Sequence, residues 1–191
     1  MRAVILNGSH HGDQASAVLH GVIAGELVER GWKVEPFVLR DLGIAYCIGC
    51  FGCWERTPGQ CVVDDAARDI AAAMIRSDLV VYLTPVTFGG YSSHLKKAVD
   101  RNNGLLQPFF TTVRGQTYHV ARYSRYPRLL GLGVMTRPDA EAERLFTTLV
   151  ARNALNLHVP VHAAGVVRCG DSSGAMRDVV RHLLSAVAEG A

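Results

Sequence analysis

No stretch of this 191-residue chain approaches the ~18 consecutive apolar residues of a membrane span, although 49% of its residues are hydrophobic. Nor does Met1 open a charged, apolar, cleavable leader, so a soluble, cytoplasmic protein that does not enter a membrane is the expectation. Charge of one sign is also scarce. The formal net charge is only +3, and basic residues are scattered except between Arg114 and Arg128, which argues against a phosphate-tracking nucleic-acid surface. Internal repeats and low-complexity tracts are missing. So are the two common nucleotide fingerprints: Gly8 and Gly12 fit neither G-x-G-x-x-G nor G-x-x-x-x-G-K-[ST]. Cysteine is sparse outside one short window, with Cys169 standing alone at an expected strand end, where packing is the ordinary role.

What the chain does contain is a regular alternation of buried strands and amphipathic helices. Ala3–Leu6 is short, continuous and partly β-branched, the pattern of a strand covered on both faces. Residues Ala15 to Arg30 then place Val18, Leu19, Val22, Ile23 and Leu27 at helical spacing and stop at Gly31. Strands follow at Trp32–Leu39, Leu79–Leu83, Leu129–Met135 and about Pro160–Val167. Helices are expected from Asp64 or Asp65 to Arg76, from Ser92 or Ser93 to Arg101, at Asp139–Leu157 and at Gly174–Ala188. Five strands joined by helices imply an α/β sandwich of three layers around an all-parallel sheet, because parallel neighbours need right-handed crossovers. The length suits one domain over 1–191, with an irregular insertion at about 102–128.

Three segments carry chemistry. The first, Asn7-Gly-Ser-His-His-Gly-Asp-Gln-Ala-Ser16, joins a buried strand to a helix N-terminus, where free amides, two serine hydroxyls and the helix dipole suit a terminal phosphate. An ordinary βα loop with a serine cap accounts for the same residues. The second, Thr84-Pro-Val-Thr-Phe-Gly-Gly-Tyr91, follows the third strand. With strand order 2-1-3-4-5, the loops after strands 1 and 3 flank the topological switch point, where open α/β sheets bind ligands. A flat heteroaromatic ring would lie along residues 85–90, with Gly89 and Gly90 permitting close approach. The third is a C-x2-C-x2-C-x7-C run at Cys47, Cys50, Cys53 and Cys61. Thiolates so spaced can wrap a [4Fe-4S] cubane, with Pro58-Gly59 turning the chain so that Cys61 supplies the fourth bond. Zinc suits the run less well, since four-cysteine zinc sites usually split into two separated pairs, and a dithiol couple or plain packing stays open.

In combination, Asn7-Gly-Ser9, the run closing in Cys61-Val-Val-Asp-Asp65, Ser77-Asp-Leu-Val-Val-Tyr-Leu-Thr-Pro85 and Leu95-Lys-Lys-Ala-Val-Asp-Arg101 resemble the NADPH-dependent FMN reductase and iron-sulfur flavoprotein branch of the flavodoxin-like superfamily. The resemblance covers about the first hundred residues. It implies a flavodoxin-like fold and bound FMN, the phosphate on Ser9, His11, Gln14, Ala15 and Ser16, and the isoalloxazine against Pro85, Val86, Thr87, Phe88 and Gly89. It implies too an oxidoreductase that takes hydride from NAD(P)H and passes electrons to a small acceptor such as a quinone, or through a cluster on the four cysteines. No side chain is required as a catalytic acid or base, and a homodimer or homotetramer is expected. A non-enzymatic FMN electron carrier is the alternative. Where relatives commonly carry Pro-Arg this chain has His10-His11, which leaves a partly charged histidine as the loop's cation. Residues Asn102 to Arg128 match less well and interleave Phe109, Phe110, Tyr118 and Tyr126 with arginines, a composition suited to a lid or to a subunit contact.

Overall fold

A parallel sheet with both faces buried forms where β-branched and leucine runs repeat between helices, and this chain builds one. The computed structural model describes residues 1–113 and 115–189, and the side chains of Val113 and Glu189 lie outside that description. Arg114, which opens the basic stretch, also lies outside it. The strands are β1 (Arg2–Asn7), β2 (Lys33–Val38), β3 (Leu79–Pro85), β4 (Leu106–Val113), β5 (Gln116–Ala121), β6 (Arg128–Met135) and β7 (His162–Arg168). The helices are α1 (Gln14–Glu29), α2 (Gly52–Glu55), α3 (Ala66–Arg76), α4 (Ser93–Asp100), α5 (Ala140–Asn156) and α6 (Ser173–Glu189). Short 3-10 turns occupy Leu39–Asp41 and Arg101–Leu105. Among the described residues no helix is long and apolar enough to cross a membrane.

The five-stranded sheet is parallel throughout, in the order β2-β1-β3-β6-β7. Counted along the chain this differs from 2-1-3-4-5, because two strands of a separate antiparallel hairpin, β4 and β5, take the numbers four and five. Within 102–128, where 122–127 carry no helix or strand, Leu106–Val113 and Gln116–Ala121 are therefore regular strands. Their Thr, Val, Phe and Tyr content suits a pleated ribbon, and Gly115, at φ +74°, stands in the turn between the two strands. Periodicity missed it because its half-exposed strands lack the apolar runs of the central sheet.

Alternation along each strand separates the core into two halves. Ala3 and Ile5 of β1, with Leu79, Val81 and Leu83 of β3, pack against α1 and α6. Val4, Leu6, Val80 and Tyr82 face the opposite side, with α3, α4 and α5. Period-two alternation with both sides apolar is why these strands read as unbroken hydrophobic runs. Gly131 and Gly133 of β6 lie beneath α5: a Cβ at Gly133 would stand 2.6 Å from Val86 and 3.1 Å from Phe146. The absence of side chains there lets the loop after β3 settle onto the sheet.

Candidate functional site

Parallel topology brings the carboxyl ends of β1, β2 and β3 side by side, so the segments after them share one edge. The loop after β1 is shaped by Asn7. Its amide nitrogen donates to Nδ1 of His20 at 2.8 Å, and its carbonyl oxygen accepts from the Ser9 amide at 2.9 Å. Burial, then the charge of Arg40, pushes His20 down, consistent with a neutral ring that accepts that bond. Ser9 is buried and His11 and Gln14 are exposed, while Ala15 lies half-buried at the start of α1. The amides of His10, His11, Gly12, Gln14 and Ala15 meet no acceptor among the described residues; those of Gln14 and Ala15 belong to the unpaired first turn of α1.

Ser16 is engaged by the helix N-cap. Its amide donates to Asp13 Oδ1 at 3.0 Å and its hydroxyl to Asp13 Oδ2 at 2.6 Å, so the N-cap carboxylate occupies both groups. The cation of the loop differs from the expected histidine. Arg40, in the 3-10 turn that ends β2, reaches across so that Nη1 donates to Ser9 Oγ at 2.6 Å and, more weakly, to the His10 carbonyl at 3.5 Å. Sequence reading missed Arg40 because it lies 31 residues away from Ser9. The available signal was its place just past β2, the neighbour of β1. His94 of α4 stands with its ring centroid 5.4 Å from that of His10. Burial, followed by the charges of Lys97, His10, His11 and Arg40, pushes His94 down.

The second segment closes tightly. The Thr87 and Gly90 amides and carbonyls bond reciprocally at 3.0 and 2.8 Å. Phe88 at φ +50° and Gly89 at φ +74° form the tip between them, the pairing of positive φ values that tight hairpin turns use. A left-handed phenylalanine is uncommon, and this one is fully exposed. The Phe88 and Gly89 amides have no acceptor among the described residues. Pro85 and Val86 are half-buried, Thr87 is exposed, and Gly89 is buried where a Cβ would stand 2.7 Å from Leu145. Ser92 ties this segment to the first one. Its amide donates to Thr84 Oγ1 at 2.9 Å, its hydroxyl donates to the Gly8 carbonyl at 2.6 Å, and it caps α4 by accepting from Leu95. The structure thus brings together both predicted loops.

The cysteines lie at the other end of α4, a helix about 12 Å long at 1.5 Å per residue. Cys47, Cys50, Cys53 and Cys61 all line one small, apolar cavity of about 40 Å³, walled also by Phe51, Trp54 and Arg101. Burial pushes the Cys53 thiol up, and neighbouring Cys61, Cys47 and Cys50 add to it. Among the described residues no three His, Cys, Asp or Glu side chains are arranged to hold a metal ion. A cubane asks for a different geometry, since each thiolate binds a separate iron and the sulfurs stand apart at its corners. Trp54 stacks on Phe51 and donates its indole N–H to the Asn103 and Leu106 carbonyls. Cys169, expected to pack, is exposed.

One buried ion pair holds the base of the cysteine segment. Arg101, its side chain 2% exposed, meets Asp65 through two bonds of 2.9 and 3.1 Å. It donates as well to the carbonyls of Ala45 and Val63, which flank the segment. Burial pushes the Asp65 carboxyl up, but the Ala45 amide, the Arg101 guanidinium and the Ala67 amide outweigh it and hold it below the usual carboxylate range. Two motifs far apart in sequence, ending in Asp65 and Arg101, are thereby one structural unit.

Comparison with known proteins follows the same division. A family model described as NADPH-dependent FMN reductase matches residues 1–113. An iron-sulfur flavoprotein of Methanocaldococcus jannaschii is 30% identical over 105 residues, which cover 55% of this chain and 53% of that protein. The chain spans about half the length of the curated relatives it matches. Among solved structures, the azoreductase AzrA superposes with a TM-score of 0.67 at 11% identity, over 100% of this chain and 97% of the other. The NAD(P)H:quinone oxidoreductase from Methanothermobacter marburgensis gives 0.65 at 14% identity, over 100% and 97%. At those identities the likeness is one of fold.

Proposed function

The chain belongs to the NADPH-dependent FMN reductase family, and from that premise we propose that it is an FMN-dependent oxidoreductase taking hydride from NAD(P)H and delivering electrons to a small acceptor. FMN, when bound, supplies the redox chemistry. The observation that carries the reading is the Ser92 bridge between the two loops at the switch point. The free amides between His10 and Ala15, the Ser9 hydroxyl and the Arg40 guanidinium hold the phosphate, while His11 and Gln14 lie at its rim. Ser16 serves by fixing Asp13 rather than by touching the phosphate. The ring lies along Pro85–Gly89, where the Phe88 and Gly89 amides address its carbonyl edge and Val86 and Thr87 set the turn. Phe88 is the exposed aromatic that covers it.

The donor set at Cys47, Cys50, Cys53 and Cys61 suits an iron-sulfur cluster, with Phe51 and Trp54 as its apolar wall. The hollow is narrow, about 40 Å³, with Cys47 and Cys50 exposed and Cys53 and Cys61 half-buried. These cysteines lie one short helix, α4, away from the loops that would hold FMN. The exposed Tyr46, Ile48, Phe51, Phe109 and Phe110 around them form the contact surface of a homo-oligomer.

Incubating the purified chain with FMN, desalting it and recording the visible spectrum tests the cofactor. A protein that stays colourless ends this reading. Steady-state NAD(P)H oxidation by the loaded protein tests the activity: a rate equal to that of free FMN leaves an electron carrier in place of a reductase. Iron and acid-labile sulfide after anaerobic purification test the cluster, and their absence demotes the cysteines to structure.

A further inference from the structure

Behind Cys61 lies a second cavity, of about 300 Å³, that neither flavin loop reaches. Its volume falls at the lower end of the range of small-molecule sites. One wall is the face of α3 formed by Ala67, Ala71 and Ile75, spaced four residues apart so that they stack along the helix. Small side chains at Ala67, Ala71 and Ala72 leave open the space that leucines would fill. Facing that apolar wall are Tyr123 and the Arg101–Leu105 turn.

The charge of the lining is one-sided. Arg68, Arg76 and Arg101 contribute to it, and no lining residue is acidic. Two of these guanidiniums are matched from outside the cavity. Arg68 pairs with Asp64 at 2.9 Å and caps the Cys61 and Val62 carbonyls, and Arg101 is held by Asp65. Arg76 is exposed and has neither an ion pair nor a side-chain hydrogen bond among the described residues. Arg122 lies near Gly59 of the lining, where a Cβ would stand 3.4 Å from its Cδ, and among the described residues its side chain bonds the Gly104 and Leu106 carbonyls. A neutral ligand would leave this positive charge unanswered. An inorganic anion would answer the charge but leave the alanine wall wet.

We propose that this cavity binds a small organic anion, a flat apolar body carrying one carboxylate or sulfonate, with Arg76 as its charge partner and the Ala67–Ala71–Ile75 face of α3 against its body. Cys61 and Arg101 wall this cavity and the cysteine cavity alike. The ligand therefore sits on the cysteine side of the molecule, away from the crevice between the loops after β1 and β3. It is a second small-molecule site, separate from the FMN loops.

The test uses the full chain and two probes of one shape, naphthalene-2-carboxylate and naphthalene-2-carboxamide, titrated by calorimetry. The carboxylate is expected to bind at least about tenfold more tightly than the amide, the scale of one charge-assisted contact. Arg76→Gln brings the carboxylate to the level of the amide, because that arginine answers only the charge. Ala71→Leu weakens both probes at least about tenfold by filling the wall, with circular dichroism reporting that the fold persists. Should Ala71→Leu fail to fold, Ala72→Leu, exposed on the same helix, fills the mouth instead. Equal affinity for the two probes, carboxylate binding that survives the leucine, or no binding at millimolar concentration each overturns the proposal.

Discussion

At Arg40 a single side chain supplies the charge that the first loop lacks. A guanidinium stays protonated at any working pH and presents a rigid fork of N–H donors suited to phosphate oxygens. Arg40→Gln should therefore lower FMN affinity at least about tenfold, the scale of a hydrogen bond to a charged group, and leave riboflavin, which lacks the phosphate, unaffected. Fluorescence titration with the two flavins separates the roles: an equal loss for both would assign Arg40 to folding the loop. The neighbouring Asp13–Ser16 pair explains why an arginine is needed, since a carboxylate already stands at the helix N-terminus.

At the scale of elements, the site depends on loops locked to neighbours more than on the loops themselves. Ser92 links the start of α4 to both segments. Its replacement by alanine leaves the buried Gly8 carbonyl without that donor, a loss of about 1–3 kcal/mol, and should lower the urea midpoint and FMN affinity together. Gly133 in β6 is a second lock. An added methyl would collide with Val86, Phe146 and Val166, so Gly133→Ala should destabilise by about 1–3 kcal/mol. Because Val86 belongs to the second loop, the same substitution should weaken flavin binding, and unchanged stability in urea would show that the strand yields without cost. The hairpin β4–β5 plays a comparable part on the cysteine side, where the His119 ring packs between Trp54 and Phe110.

Over the whole molecule, stability below neutral pH rests on a few carboxylates. A hydrogen bond from Arg181 outweighs burial and, with the charges of Arg177 and Arg30, holds Glu26 below its usual range, joining α1 to α6. Asp65 joins the cysteine segment to α4. Asp78 is pushed up by burial but held down on balance by the Arg2 amide and Arg125. Each has a folded-state pKa below its unfolded value, so each contributes stability that is complete above the unfolded value and is lost as pH falls through the folded one. The thermal midpoint should hold steady down to about pH 4.5 and then fall, since unfolded Glu and Asp titrate near 4.3 and 3.9. Glu26→Gln should flatten that fall. A midpoint that begins to drop near pH 6 would implicate the histidines instead.

The amino-acid sequence by itself determined the alternation of elements, the parallel sheet and the places of both loops, because buried strands between amphipathic helices leave periodic patterns of apolar residues. Asn7-Gly-Ser9 and the cysteine run were legible for the same local reason: each is a contiguous set of residue types with its own chemistry. What only the tertiary structure decided are the relations between distant residues. Arg40 meets Ser9 because β2 lies beside β1, Asp65 meets Arg101 because α4 ends beneath the cysteine segment, and the α3 cavity opens because the Arg101–Leu105 turn stands opposite a row of alanines. The hairpin stayed hidden because its strands pair with each other, outside the central sheet, and so never acquired the doubly buried pattern that revealed the other five.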